Sequence, residues 1–504
     1  MKIIIFFIAC LTLGQQGLGQ NTVSSRLDSF FQSLYNYNQI NGNVLVAEEG
    51  VITYKHSFGF ADFAGKKPNT DSSGFTLAST SKIFTSTAIL QLKDRGHLRL
   101  DDPFIRYFPD FPFPEITIRN LLSHTSGLPD YELYDEQIRL HPAKIFTNND
   151  VLPSIKMWKK PLPFKAGEKW SYSNTNFCLL ALLVEKLSGL KFQKYLQKYI
   201  FSPAKMNGTY FQADSVHLND KSRTNNYEYP FLYSLHFQNV DSIKKYRWRL
   251  YNASGFVGQG NIITTTRDLL KFDNLLYLGT ILRPGTLAEA FTPTKLKNGM
   301  NANADVGMGK ASYGLGWFIF EDTSIGKIVW HTGGQPGGLS IFVRNITKRQ
   351  TVIMFDNAFH KNIYGEAVNS MAILNNKPIV IYKKSLTKDY GSTLVEKGID
   401  AAFCKFEQLK ADSSHYYLSE DDMNELGLQL LYEPSFKEHN ELSLEVLKLN
   451  ILLFSNSFNT YDSYGEALAK IGKKDEAIFM YKKSVELNPQ NEGGEKALNE
   501  LLKK

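Results

Sequence analysis

Three short stretches of this 504-residue chain hold side chains whose types and spacing could make and break an acyl bond. The first is Phe75-Thr-Leu-Ala-Ser79-Thr-Ser-Lys82, which opens an apolar run expected to be helical up to a stop at Gly96. Ser79 and Lys82 are three residues apart, so a helix places both on one side of its first turn. A serine hydroxyl is a weak nucleophile until a base takes its proton, and a buried amine of lowered pKa is such a base. The free N–H groups of a helix start suit a developing oxyanion. Taken alone, the same residues also describe a capped helix with an exposed lysine. The second stretch, Trp170-Ser-Tyr172-Ser-Asn174, precedes an apolar helix expected over residues 177–187 with a stop at Gly189. Tyr172 can pass protons if neighbouring cations lower its pKa, and Asn174 offers an amide substrate both a donor and an acceptor. The third, His331-Thr332-Gly333-Gly334, reads as a connection between strands at 327–330 and 339–343. Its glycines would let a substrate backbone pair with a strand edge, and His331 and Thr332 could hold an anionic end. The plain alternatives are a capping loop with a surface tyrosine and ordinary turn chemistry.

The elements that must position these groups can be read in order. A helix is expected over 23–37 from the spacing of Leu27, Phe30, Phe31 and Leu34, followed by a hairpin turning at Gly50. Residues 101–114 form a Pro- and Phe-rich ordered loop, and 118–131 a short helix running into a turn. His124 in that segment reads as structural, since no base-and-orienter arrangement surrounds it. Residues 205–250 are polar and aromatic with little periodicity, and read as insertions around a cleft. A helix after Thr266 leads to strand-like segments at 314–320, 327–330, 339–343 and 351–355.

Together, Ser79-x-x-Lys82, Tyr172-Ser-Asn174 and His331-Thr332-Gly333 resemble the three active-site motifs of the penicillin-recognising serine hydrolases, the group of class C β-lactamases, D-alanyl-D-alanine carboxypeptidases and related esterases. Asp101-Asp102-Pro103, Leu121-Leu-Ser-His-Thr-Ser-Gly127 and Tyr313-Gly-Leu-Gly-Trp317 look like further landmarks, and the likeness spans about residues 23–376. The resemblance implies an α+β fold, an antiparallel sheet flanked by helices plus an all-helical lobe, with the cleft between them. It implies Ser79 as the acylated nucleophile, with Lys82 and Tyr172 sharing the acid/base work. Asn174 would orient Lys82 and the substrate amide, and the N–H groups of Ser79 and Gly334 would form the oxyanion hole. His331, Thr332 and Gly333 would bind substrate, the first two facing its carboxylate. Many β-lactamases of the group carry lysine where His331 stands, so peptidase or esterase activity is favoured over β-lactam turnover. A charged His331 would make activity on carboxylate substrates fall as pH rises through about 6.5. The alternative is a catalytically degenerate scaffold whose C-terminal region binds protein partners.

The chain is 43% hydrophobic and 13% aromatic, enough for more than one packed domain. Its formal charge of +7 looks dispersed, which argues against nucleic acid as a partner. Residues 1–19 read as an export signal, implying a secreted or periplasmic protein. A membrane anchor is expected only if Cys10 is lipidated. The three cysteines imply no disulfide framework, and the ten histidines show no ligand spacing, so neither metal nor cofactor is expected. The hydrolase region is bounded at 20–376, followed by a linker and helix over 377–418, the helix at 393–410 starting from a capping box at Thr393 and Glu396. Residues 419–504 resemble tetratricopeptide (TPR) repeats. The better copy begins at Phe458 (Tyr461, Tyr464-Gly465, Leu468, Ala477, Tyr481, Ser484, Pro489), and Leu426-Gly427 marks a weaker one 38 residues earlier. Residues 496–502 would close the array.

Overall fold

The strands of the central sheet carry apolar residues on both faces, and each face meets its own core. In β1 (Gly42–Glu48), Leu45 and Ala47 point to one core while Val44 and Val46 point to the other, as the two-residue period of a strand requires. The computed structural model describes residues 22–213, 220–305, 309–432 and 438–503; the expected export signal and Cys10 lie outside them. α1 (Val23–Asn36) precedes β1, and β2 (Val51–Ser57) completes the hairpin. The helices α2 (Lys82–Asp94), α3 (Asn174–Ser188) and α4 (Thr266–Tyr277) follow. Then come β3 (Asn303–Asp305), β4 (Lys310–Tyr313), β5 (Phe318–Thr323), β6 (Gly326–Gln335), β7 (Gly338–Asn345) and β8 (Gln350–Asp356), and α5 (Ile363–Leu374). The eight strands form one antiparallel sheet in the order β3-β4-β5-β6-β7-β8-β1-β2.

Leu27 and Phe31 of α1 and Ala367 and Met371 of α5 cover one face of this sheet. On the other face, α2, α3 and α4 share a core with Leu45, Phe342 and Phe355. Helix α2 is buried on all sides from Lys82 to Leu92, which explains its lack of a polar face. Beneath the sheet a buried ion pair joins α4 to β7: Arg344 Nε lies 2.9 Å from Asp273, with the guanidinium stacked 3.6 Å from the Tyr277 ring centre.

Three expectations need correction. His331 to Gly334 lie within β6, not in a connection: pairing with β7 runs on to Gln335 opposite Gly338, and the turn falls at Pro336 and Gly337. The glycines thus lie in strand, as the backbone-pairing reading requires, and the plain turn alternative does not hold. Residues 314–317 are a turn and not strand, with Gly316 at φ +84° seated against Ser86, so β5 begins only at Phe318. The helix expected over 393–410 is two, α6 (Leu386–Lys397) and α7 (Ile399–Ala411), split at Gly398 with φ +84°. Thr393 therefore sits mid-helix, where its hydroxyl donates to the Asp389 carbonyl.

Five more helices end the chain: α8 (Glu420–Tyr432), α9 (His439–Leu453), α10 (Phe458–Lys470), α11 (Lys474–Leu487) and α12 (Glu492–Lys503). Residues 377–385 are pinned to the body: Asn369 exchanges two hydrogen bonds with the Val380 backbone, and Tyr382 lies over Gly365. α6 to α9 also enclose part of the 205–250 segment. Tyr233 is buried among Leu386, Tyr390, Phe406 and Leu426, Leu232 N–H donates to Gln429, and Lys388 donates to the Ser234 carbonyl.

Candidate active site

Ser79 lies in a 3-10 turn, Ala78–Ser81, that feeds directly into α2 at Lys82. The preceding Ala78 holds φ +45°, costly for a residue with a Cβ, and is wholly buried. This kink turns Ser79 outward: it alone is partly open in a run buried from Ser73 to Leu92. The turn is stitched to the sheet. Ser340 of β7 donates to the Leu77 carbonyl at 2.7 Å and shares a 2.8 Å hydrogen bond with Thr80. Gly333 makes the close approach possible, since a Cβ there would stand 2.0 Å from the Leu77 carbonyl oxygen. Gly334 is exposed between the buried Gly333 and Gln335.

Lys82 is completely buried, and its Nζ has three neighbours: Ser79 Oγ at 3.0 Å, Asn174 Oδ1 at 2.7 Å and the Gln259 carbonyl oxygen at 2.9 Å. Two of these can only accept. A neutral amine donates its two N–H bonds to them and is left with a lone pair directed at Ser79. Burial lowers the lysine pKa from 10.5 to about 7, with the charge of Arg249 pushing the same way and that of Asp130 opposing. Neutral amine is therefore well populated at neutral pH.

Which end of the Asn174 amide faces Lys82 is decided by Asp130. Asn174 Nδ2 donates to Asp130 Oδ2 at 2.9 Å and its backbone N–H to Oδ1 at 2.8 Å. With the donor end engaged there, the carbonyl end must meet Lys82. Burial raises the Asp130 pKa, against the two N–H groups of Asn174 and the charge of Lys82. Asp130 and the Gln259 carbonyl are site groups that the sequence reading missed. The signal for Asp130 was its place after Leu128-Pro129 at the end of the His124 segment.

Tyr172 lies beside this group, with Lys82 Nζ 4.8 Å from its ring centre and its hydroxyl shut off from solvent. Burial raises its pKa, only partly offset by hydrogen bonding from Ser79, so the expected cation-lowered tyrosine is instead a neutral phenol. Among the described residues no group stands in strict hydrogen-bonding geometry to its hydroxyl, which leaves it a donor for substrate. His124 backs the Tyr172 ring at 4.3 Å and accepts the Ser173 N–H at Nδ1, a structural position.

His331 departs from the expected role. It is 1% exposed, and its Nδ1 lies 2.6 Å from the Thr332 carbonyl oxygen while the Tyr313 hydroxyl lies 3.4 Å from Nε2. Burial, aided by the charge of Lys82, drives its pKa down to about 3. The ring is neutral and enclosed, so it supplies no charge to a substrate carboxylate. Thr332 remains half open beside it.

A family model described as Beta-lactamase matches residues 27–368, a span that contains all three motifs. The chain belongs to that beta-lactamase family. Among relatives of this family, it is 34% identical over 381 residues to penicillin-binding protein 4* of Bacillus subtilis (strain 168), covering 75% of this chain and 80% of that one. A penicillin-binding protein from Bacillus halodurans superposes with a TM-score of 0.57 at 26% identity, over 69% of this chain and 98% of that one. The D-amino acid amidase of Ochrobactrum anthropi SV3, solved with L-phenylalanine amide, shares the fold with a TM-score of 0.57 at 22% identity, over 71% of this chain and 98% of that one. The family model ends at residue 368, ahead of α6 to α12.

Proposed function

We propose that this protein is a serine hydrolase that works through a Ser79 acyl-enzyme on D-amino-acid peptides, small amides or esters, with efficient β-lactam turnover less favoured. The observation that carries this reading is the buried Lys82 amine, held by two acceptors with its third direction on Ser79 Oγ. Neutral Lys82 takes the Ser79 proton as Oγ attacks the scissile carbonyl. The N–H groups of Ser79 and Gly334 receive the developing oxyanion. Tyr172, a protonated phenol, gives its proton to the leaving nitrogen or oxygen and is reprotonated from Lys82. Water then reverses the sequence to release the acid and restore Ser79.

The C-terminal helices fit a pair of TPR-like repeats with a closing helix. Gly427 and Gly465 occupy equivalent positions, each met by a side chain of the following helix, Leu447 and Tyr481. Such a module offers a protein-binding surface, and an exported setting fits the N-terminal segment. The test is intact-mass labelling of the mature protein by a fluorophosphonate and by a penicillin, alongside Ser79→Ala. Labelling lost in the variant supports the reading. A lasting penicillin adduct points to a carboxypeptidase-like site and rapid loss to a β-lactamase. No adduct with either reagent on folded protein sinks the reading in favour of a binding scaffold.

A further inference from the structure

A substrate carboxylate meets no cation at the His331 position of β6, because that ring is buried and neutral. On the opposite wall the 205–250 segment ends in Lys244, Lys245, Arg247 and Arg249, a local concentration of charge within a chain whose +7 looks dispersed. The last of these packs against Tyr131, the chain neighbour of Asp130. Arg249, in the short helical turn Trp248–Asn252, places its guanidinium carbon 5.1 Å from the centre of the Tyr131 ring. Trp248 meets the same ring edge-on at 5.5 Å and is 40% exposed, so the cluster opens to solvent. Tyr131 directly follows Asp130, which holds Asn174, which holds Lys82. No ion pair of the described residues involves Arg249, whereas Lys144 and Arg119, also partly buried, have carboxylate partners. The charge of Arg249 lowers the pKa values of Lys82, Tyr131 and Tyr172, and of the buried Cys178 as well, each against or beside a larger effect of burial.

Asn174 Nδ2 has a second N–H beyond the one given to Asp130, and it is free for the amide carbonyl next to the scissile bond on the acyl side. The group beyond that amide would then extend on the side of Asp130 and its neighbour Tyr131. We propose that Arg249, with Tyr131 and Trp248, forms an acyl-side subsite that selects substrates carrying a carboxylate beyond the amide that precedes the scissile bond. This rests on the hydrolase reading above. A half-buried guanidinium bound to a carboxylate gives a charge-assisted, two-pronged contact, enough for about tenfold discrimination.

The test uses two esters with the same neutral leaving group, the p-nitrophenyl esters of N-succinyl-D-alanine and N-butyryl-D-alanine. The readout is the ratio of their kcat/KM values. The wild type is expected to favour the succinyl ester about tenfold, with the preference shrinking between 50 and 500 mM salt. Arg249→Gln brings the ratio to about one, and Arg249→Lys leaves it between the two. A purely structural Arg249 would lower both esters together and leave the ratio intact, which overturns the proposal. So does equal turnover of the two esters by the wild type, a measurement that needs no variant. If neither ester gives turnover above that of Ser79→Ala, the hydrolase reading falls, and the subsite with it.

Discussion

Asp130→Asn isolates what the carboxylate does for Lys82. In the wild type both Asp130 oxygens accept hydrogen bonds from Asn174, at 2.8 and 2.9 Å. An asparagine keeps one acceptor but puts an NH2 group opposite one of those donors. One charge-assisted bond is lost in a buried setting, at a cost of about 1.5–3 kcal/mol, and the Asn174 amide is free to flip away from Lys82. If that cost falls on the transition state, kcat/KM drops about ten- to hundredfold. A second effect has a fixed sign. The Asp130 charge raises the Lys82 pKa, so its removal lowers it below the present value of about 7. Lys82 must be neutral to accept the Ser79 proton, so wild-type kcat/KM rises through about pH 7, and in the variant this acidic limb moves to lower pH. The defect is therefore largest above pH 7 and smaller near pH 5.5. The assay is the pH profile of kcat/KM on a neutral p-nitrophenyl ester for both proteins, with intact mass confirming acylation at Ser79. A variant whose limb stays in place or moves to higher pH, or whose kcat/KM is within twofold of wild type throughout, would refute this account of Asp130.

Other expectations follow from the same geometry. Lys82→Met abolishes acylation yet raises thermal stability, because the folded state lowers the lysine pKa from 10.5 to about 7 and so penalises its charge. That penalty is complete below about pH 7 and fades toward 10.5, so the variant's melting-temperature advantage over wild type shrinks as pH rises through that window. KM for carboxylate-bearing substrates stays flat between pH 6 and 8, since His331 is neutral throughout; a His331 titration near 6.5 would reverse this. Gly333→Ala forces β6 away from the Ser79 turn and should cut acylation at least hundredfold, read as the rate of fluorophosphonate labelling on folded protein. Asp273→Ala strands the buried Arg344 guanidinium and should destabilise the fold by about 3–5 kcal/mol in denaturant titration.

The motif residues were legible because their spacing is local and their chemistry restrictive. Ser79 and Lys82 could be placed together from their spacing, and the resemblance to the family's motifs brought Asn174 to them. The hairpin at Gly50 and the buried helix after Asn174 followed from periodicity and stop signals. What could not be read depends on pairing across the chain. His331 looked like a charged anchor because its burial follows from β6 lying between β5 and β7 under Tyr313, which no neighbour in sequence announces. Asp130 acquires its role only when α3 arrives beside it, 44 residues on. Gly398 inside an otherwise helical pattern was passed over, although its positive φ splits the helix there. Residues 231–234 lack periodicity because they pack irregularly between the body and the last helices.

The grip of α6 to α9 on Tyr233 bears on the order in which the molecule is made. The partners that bury this residue, from Leu386 onward, leave the ribosome more than 150 residues after it. A nascent chain that has reached β8 can pair its whole central sheet while residues 231–234 still lack the helices that enclose them. Closing contacts over so long a stretch of chain is slow compared with forming neighbouring helices. The stretch around Tyr233 is thus among the last parts of the protein to take shape, whereas Arg249 can rest on Tyr131 as soon as it is made, and the nucleophile is assembled before the C-terminal helices close over the body.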